Sequence, residues 1–476
     1  MNEYTNTLTN SALAIRRQFA SDFHRPQYHF LPPSNWMNDP NGFIQWKGRY
    51  HLFYQHNPNA PTWGDMHWGH AVSHDLIHWT DLPIALAPTP GSYDEAGVFS
   101  GCAVDHAGVP TIFYTSTRGS RNEIQTQSIA TGSDDLLTWT KDLRNPILRD
   151  VPPDSGQTRD FRDPFVWKED DGWYMVLGSR IQDVGGAVFL YRSQNLIDWE
   201  YLHPLLIGDI KRNGVIWECP NFFKLGDQWM LIVSHHTGTA TDTVIYFVGS
   251  YENQRFTPVY EGVLDHASMY APLTTLDDHK RRVLIGWIRE DRPVSECVRA
   301  GWSGVQSIPR VLTLDGDNRL RMTPVPELET IRGRLHQLEA AANPPEINLN
   351  VLALDIEAEF APQPDDMCGL RLVYSPATGE QIDIIYESQR LTVRRTVRDA
   401  AGALRTDEQH APHERRANES IRLRVLSDGS VVEIIVNERT SLTSRVYPSS
   451  AADSRLQVLG SGLQSLKAWE MPSIWQ

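Results

Sequence analysis

A chain of 476 residues is longer than one hydrophobic core can fill, so at least two domains are expected. Its 44 basic and 59 acidic residues leave a formal charge of −15, which repels phosphate backbones and anionic lipid and argues against nucleic acid or a membrane as partner. With 40% hydrophobic and 22% charged residues the chain is neither disordered nor fibrous, and its 15 Trp and 16 Tyr suit an aromatic β core and carbohydrate faces alike.

Residues 1–22 read as an N-terminal extension carrying one short helix, Ala12 to Phe19. This stretch has no basic segment followed by an apolar one, and no run in the chain approaches the length of a membrane span. Cys102, Cys219, Cys297 and Cys368 are too dispersed for a zinc site or a disulfide framework. Free thiols fit a reducing compartment, so a cytoplasmic protein is expected.

The segment Trp36-Met37-Asn38-Asp39-Pro40-Asn41-Gly42 sets a carboxylate on an ordered turn before the apolar strand Tyr50–Tyr54. Pro40 excludes the α region for Asp39. Taken alone, Asp39 reads equally as a catalytic carboxylate or as an Asx-turn.

The chain then repeats itself with a period of about 60 residues. Ser73-His74-Asp75-Leu76-Ile77-His78-Trp79 recurs from Ser133 to Trp139 and from Ser193 to Trp199, with a degenerate copy from Ser250 to Phe256. Each copy reads as a turn closed by Ser and Asp, with Leu and Trp packing between blades. Apolar strands follow Gly48, Gly108, Gly172 and Gly226, and a fifth runs from Arg282 to Ile288. Short strands at a fixed period indicate a five-bladed β-propeller, here residues 23–326.

Asp39, Asp163 and Glu218 precede these strands by nearly the same distance, with Ser100 in the matching place of blade 2 and Tyr270 close to it in blade 5. The innermost strand of a blade rims the central funnel, so symmetry brings all five side chains to one pocket. Residues 327–345 read as a linker, with a helix from Glu327 to Ala341 carrying Leu328, Ile331, Leu335 and Leu338. Alternating runs across 346–476 indicate a C-terminal β-sandwich, suited to support, to longer substrates or to a homo-oligomer contact.

Retaining glycoside cleavage needs one carboxylate to attack and one carboxylic acid to protonate the leaving oxygen, about 5–5.5 Å apart. Asp39 beside Asn38 suits an ionised nucleophile. Glu218, facing two other anions, is expected to keep its proton, and Asp163 beside Arg162 to stay ionised and accept from sugar hydroxyls. His67, His70, His74 and His78 have tempting ligand spacing, but on a strand and turn they share no face, so no metal is expected.

These residues carry a resemblance. Asn38-Asp39-Pro40-Asn41-Gly42, Arg162-Asp163-Pro164 and Trp217-Glu218-Cys219-Pro220 resemble the nucleophile, stabiliser and acid/base motifs of glycoside hydrolase family 32, the β-fructofuranosidases. Phe99-Ser100-Gly101, Tyr270-Ala271-Pro272, Gly286-Trp287-Ile288, Gly301-Trp302-Ser303-Gly304, Ser430–Asn437 and Leu442–Pro448 add to it, so it spans nearly the whole chain. It implies that Asp39 attacks a terminal fructose, Glu218 is acid and then base, and Asp163 binds fructose hydroxyls. It also implies a fructose subsite lined by Asn38, Gln55, Trp63, Phe99, Ser100 and Arg162, with Trp36 and Trp287 on its wall. Sucrose or a short fructan is the implied substrate, and no metal or organic cofactor is implied. Sucrose 6-phosphate hydrolysis, for which Arg118, Arg121 and Lys211 are candidate phosphate contacts, and fructosyl transfer remain alternatives. So do an inverting arabinanase-type propeller and, more distantly, a non-catalytic sugar-binding propeller.

Overall fold

Each Ser-x-Asp/Asn-Leu-x-x-Trp copy closes a hairpin between the third and outer strands of a blade. The side chains of Asp75, Asp135 and Asn195 accept the backbone N–H of Ile77, Leu137 and Ile197. Leu76, Leu136 and Leu196 adopt left-handed φ of 68°, 59° and 67°. The indole N–H of Trp79, Trp139 and Trp199 donates to that leucine's carbonyl at 3.1, 3.0 and 3.0 Å. One turn chemistry, used three times, thus sets one hairpin geometry.

The computed structural model describes residues 3–153, 158–237, 242–339, 346–363 and 366–475. Five antiparallel sheets form the propeller, with inner strands Asn35–Trp46, Gly97–His106, Phe161–Glu169, Ile216–Leu225 and Met269–Leu276. The apolar strands expected from sequence are the second strand of each blade. Closure comes from the far end of the domain, where Trp302–Ser303 pairs in parallel with Asn35 and Trp36 in blade 1. Gln306 Nε2 adds a hydrogen bond to the Asn38 carbonyl at 2.7 Å.

All five inner strands change register at the same level: between Met37 and Pro40, Val98 and Gly101, Glu218 and Asn221, Tyr270 and Leu273, and opposite Val176 and Gly178 in blade 3. Pro40, Pro164, Pro220 and Pro272 occupy these bulges, where a residue without an N–H costs no ladder bond, and Gly101 takes the place in blade 2. Asp39 therefore lies within a strand, at its bulge, and not on a turn ahead of one. Aligned on these positions, Glu218 and Tyr270 match Asn38 and Arg162, and Cys219 matches Asp39 and Asp163. The symmetry inferred from strand spacing was one residue out in blade 4, and Tyr270 in blade 5, expected close to the equivalent place, lies one residue before it.

The sandwich packs a six-stranded sheet containing Cys368–Ser375 against a sheet that continues from blade 4. The join is a parallel pairing of His266 and Ala267, at the end of blade 4's outer strand, with Leu442 and Thr443. Beneath it lies a buried polar cluster. Arg310 holds Asp265 at 2.9 Å and Glu433 at 2.5 Å, and His29 bridges Asp428 and Glu433 at 2.9 Å each.

The expected linker helix is not formed. Pro326–Ile331 is a short 3-10 helix that buries Leu328 and Ile331, and Leu335–Glu339 is a strand paired with Leu463–Glu470. Gly333 breaks the helical pattern: its N–H donates to the Glu470 carbonyl at 2.9 Å, so close that a side chain there would collide with that oxygen. An open sheet edge thus captures the segment. Residues 340–345, where that helix was to end, lie outside the described residues. The N-terminal helix is longer than expected, Glu3–Gln18, and docks through Arg16, which pairs with Asp81 and covers Trp475.

Candidate active site

A regular strand sends neighbouring side chains to opposite faces. The bulges suspend that rule, so consecutive residues of one strand face the axis together. Asn38 with Asp39, Phe99 with Ser100, Arg162 with Asp163, and Glu218 with Cys219 all line one cavity of about 430 Å³ at the mouth of the propeller. Gln55, Trp63, Tyr270 and Trp287 complete the part of the wall anticipated from sequence. Trp36 stands behind it: its indole donates to Asn38 Oδ1 at 2.7 Å and its ring meets Trp287 edge-on. Trp63 is 54% exposed at the rim, edge-on to Phe99.

The three acids are tied into one network. Ser100 Oγ donates to Asp39 Oδ2 at 2.6 Å, and Asn38 Nδ2 to Asp39 Oδ1 at 3.0 Å. The Cys219 backbone N–H donates to Asp163 Oδ2 at 2.9 Å, while its Sγ lies 3.5 Å from both Asp39 Oδ2 and Asp163 Oδ2. Those two oxygens are therefore no further apart than twice that distance. Glu218 receives Arg162 Nη2 at 2.6 Å on one oxygen and the Tyr270 hydroxyl at 2.5 Å on the other.

Trp217 fixes Glu218 in place. It is fully buried in a slot where a β-carbon on Gly186 or Gly208 would come within 2.4 Å of the indole. Its Nε1 donates to the Asn213 carbonyl at 2.8 Å.

The charge states differ from those expected. Burial pushes the Asp163 carboxyl up to about 7, against the pull of Arg162. Burial also lifts Asp39 above the usual range, despite its bonds from Ser100 and Asn38 and with added repulsion from Glu218. Burial acts on Glu218 too, but there Arg162 and Tyr270 outweigh it and hold the carboxyl below its usual range. The reversal has a geometric cause: Arg162 reaches past its neighbour Asp163, 3.9 Å away, to grip Glu218. Burial, reinforced by the acids around it, keeps the Cys219 thiol protonated.

Sequence reasoning missed Cys219, Gln125, Arg159 and His236 on this wall. Only the Pro-aligned register could have revealed Cys219. Gln125 lies on the third strand of blade 2, Arg159 just before the inner strand of blade 3 and His236 at the end of the second strand of blade 4, where sequence spacing carries no signal. Among the described residues no group of His, Cys, Asp or Glu could hold a metal ion, the His67–His78 series included. No described helix is long and apolar enough to cross a membrane.

The chain matches the model of the glycosyl hydrolases family 32 N-terminal domain over residues 29–324 and that of the family 32 C-terminal domain over 327–470. It is 34% identical to a sucrose-6-phosphate hydrolase of Zymomonas mobilis, across 91% of this chain and 89% of that protein. The crystal structure of fructan 1-exohydrolase IIa from Cichorium intybus superposes with a TM-score of 0.84 at 28% identity, covering 95% of this chain and 98% of that one. A mutant of a Bombyx mori β-fructofuranosidase, solved in complex with sucrose, gives 0.81 at 29% identity, covering 100% and 99%. Three acidic motifs on a five-bladed propeller, and family models that together span it and the sandwich, establish the chain as a glycoside hydrolase of family 32 that acts on β-fructofuranosides.

Proposed function

We propose that the chain is a retaining β-fructofuranosidase that hydrolyses the terminal non-reducing β-D-fructofuranoside of sucrose or short fructo-oligosaccharides. The observation that carries this reading is the meeting of Asp39, Asp163 and Glu218, from three blades, in one cavity where Arg162 grips Glu218. In this reading Asp39 attacks the anomeric carbon of fructose as the bond to the leaving oxygen breaks. Glu218 gives that oxygen a proton, then takes one from the water that releases fructose from Asp39. Asp163 accepts hydrogen bonds from two fructose hydroxyls and stabilises the cationic sugar. Burial raises Asp163 to about 7, so this carboxyl is partly protonated near neutrality. Sugar hydroxyls that engage Arg162 weaken its hold on Glu218, and the proton passes to Glu218.

Asp39→Asn tests this. Glucose release from sucrose should vanish while the circular dichroism spectrum is unchanged, and NMR of the wild-type reaction should show the retained anomer first. Normal turnover in the variant, or an inverted product, ends the reading.

A phosphorylated sucrose is a second reading, favoured by Arg121 and Arg159. Both line the cavity rim, are exposed, and make no ion pair among the described residues. Arg118, by contrast, pairs with Glu95, and Lys211 lies off the wall. Comparing sucrose, sucrose 6-phosphate, kestose, inulin and levan separates the two readings. Replacing both arginines by Gln should raise KM for the phosphate ester alone. The four cysteines are free thiols, which suits the cytoplasm, where an imported sugar would be met.

A further inference from the structure

A second cavity, larger than the one that holds the acids, lies elsewhere in the propeller. About 760 Å³ in volume, it opens at the opposite end of the propeller axis, lined by residues that follow the bulges: Trp167 in blade 3, Phe222 and Lys224 in blade 4, and Thr275 in blade 5. At about 3.3 Å per residue, Glu169 at its rim lies on the order of 20 Å along the strand from Asp163. Between the two cavities the bulge prolines Pro40, Pro164, Pro220 and Pro272 leave a void of only about 10 Å³. That is room for one water, so no sugar passes from one end to the other.

This base cavity contains polar groups with nothing to bind. Arg282 opens the second strand of blade 5 and rests its guanidinium 4.3 Å above the Phe223 ring. Its Nε is shut off from solvent without a hydrogen-bond partner, and the side chain pairs with no carboxylate among the described residues. A largely buried, unpaired guanidinium is costly, and an anion is its natural complement. Lys224 lines the same cavity, also without an ion pair among the described residues. The Tyr251 hydroxyl, buried and unpartnered, is a second waiting group. Its ring packs 4.7 Å from Trp229 and 5.0 Å from Phe222, making an apolar aromatic wall. Of the acids on the blade 3 side, Glu169 is taken by Trp167 at 2.8 Å and Asp171 by Arg192 at 2.9 Å, while Asp170 faces solvent.

We propose that the base cavity is a second binding site, for a small phosphate-bearing ligand, with Arg282 taking the phosphate and the Tyr251–Trp229 wall its sugar or other apolar part. The site is independent of whatever the acid-lined cavity hydrolyses. Inorganic phosphate and a hexose phosphate share the chemistry Arg282 would recognise, and the aromatic wall favours the latter.

Titration calorimetry on the full chain with glucose 6-phosphate, inorganic phosphate and glucose tests this. Saturable glucose 6-phosphate binding is expected, weakened about 10–100-fold by Arg282→Gln and about 2–10-fold by Tyr251→Phe. Replacing both Arg121 and Arg159 by Gln should leave it unchanged. Arg282→Lys, which keeps the charge, covers the case in which the Gln variant does not fold; it should retain binding more weakly. Phosphate binding as tightly as glucose 6-phosphate, and equally sensitive to Arg282→Gln, would support the anion contact and assign the source to free phosphate. No saturable binding by either phosphate probe, or binding indifferent to Arg282 and lost with Arg121 and Arg159, overturns the proposal.

Discussion

Two regions of this molecule each gather three carboxylates, and they treat them in opposite ways. At the join of propeller and sandwich, Asp265, Asp428 and Glu433 meet two cations, Arg310 and His29, and the leftover acceptor capacity is filled by Ser441 and Thr443. There Glu433 is held down at about 2 and His29 is raised to about 9. At the mouth of the propeller, Arg162 grips Glu218 and lies 3.9 Å from Asp163, while Asp39 is bonded by the neutral Ser100 and Asn38. One carboxyl ends below its usual range and two above it. The first arrangement satisfies its charges and holds two domains together; the second keeps repulsion in store for a ligand to relieve.

The largest effect should come from disturbing the satisfied cluster. Arg310→Met strands two buried carboxylates and should cost about 3–5 kcal/mol in chemical denaturation, with the join between domains failing first. A loss within the range of a surface substitution would mean that the cluster contributes little.

Treating the other cluster in the same way should have the opposite sign. Asp163 holds its proton up to about 7 when folded but only to 3.8 in the unfolded chain. A raised carboxyl contributes stability that is complete below the unfolded value and is lost as pH rises through the folded one. Asp163→Asn removes that loss, so melting at pH 8 should shift upward by the equivalent of about 2–4 kcal/mol while sucrose turnover collapses. A variant that is less stable than wild type at pH 8 would show that the two clusters do not differ in this way. His29 supplies the matching control. Its contribution is complete below 6.5 and lost as pH rises through about 9, so His29→Gln should flatten only that limb of the stability curve.

A smaller effect tests what positions the strained cluster. Gly186→Ala drives a methyl group to 2.3 Å from the Trp217 ring and should cost about 1–3 kcal/mol. Since Trp217 carries Glu218, kcat should fall more than KM rises.

Much of the catalytic cavity was legible because its chemistry is local in sequence: Asp39-Pro40, Asp163-Pro164 and Glu218-Cys219-Pro220 each announce an acid beside a bulge. The propeller was legible because its turns repeat. Four things were not. The phase of each bulge depends on pairing with the next strand, so Glu218 fell one residue out of register. Adjacent residues need not be partners, and Arg162 serves an acid from another blade. The satisfied cluster was invisible because His29 and Glu433 come from opposite ends of the chain. The linker failed for a different reason: Leu328, Ile331, Leu335 and Leu338 fit a helical stripe, and nothing local signals that an open sheet edge awaits the second half.

The closure of blade 1 by Trp302–Ser303, with Gln306 bonded to Asn38, has a consequence for synthesis. A ribosome makes Asp39 and its partner strand early, yet the other edge of the strand that carries Asp39 is paired only once residues near 306 have cleared the exit tunnel. Nascent or prematurely released chains therefore hold Asp39, Asp163 and Glu218 without the closed ring that gathers them, and the proposed hydrolytic centre is completed late, near the moment when the ring of blades closes.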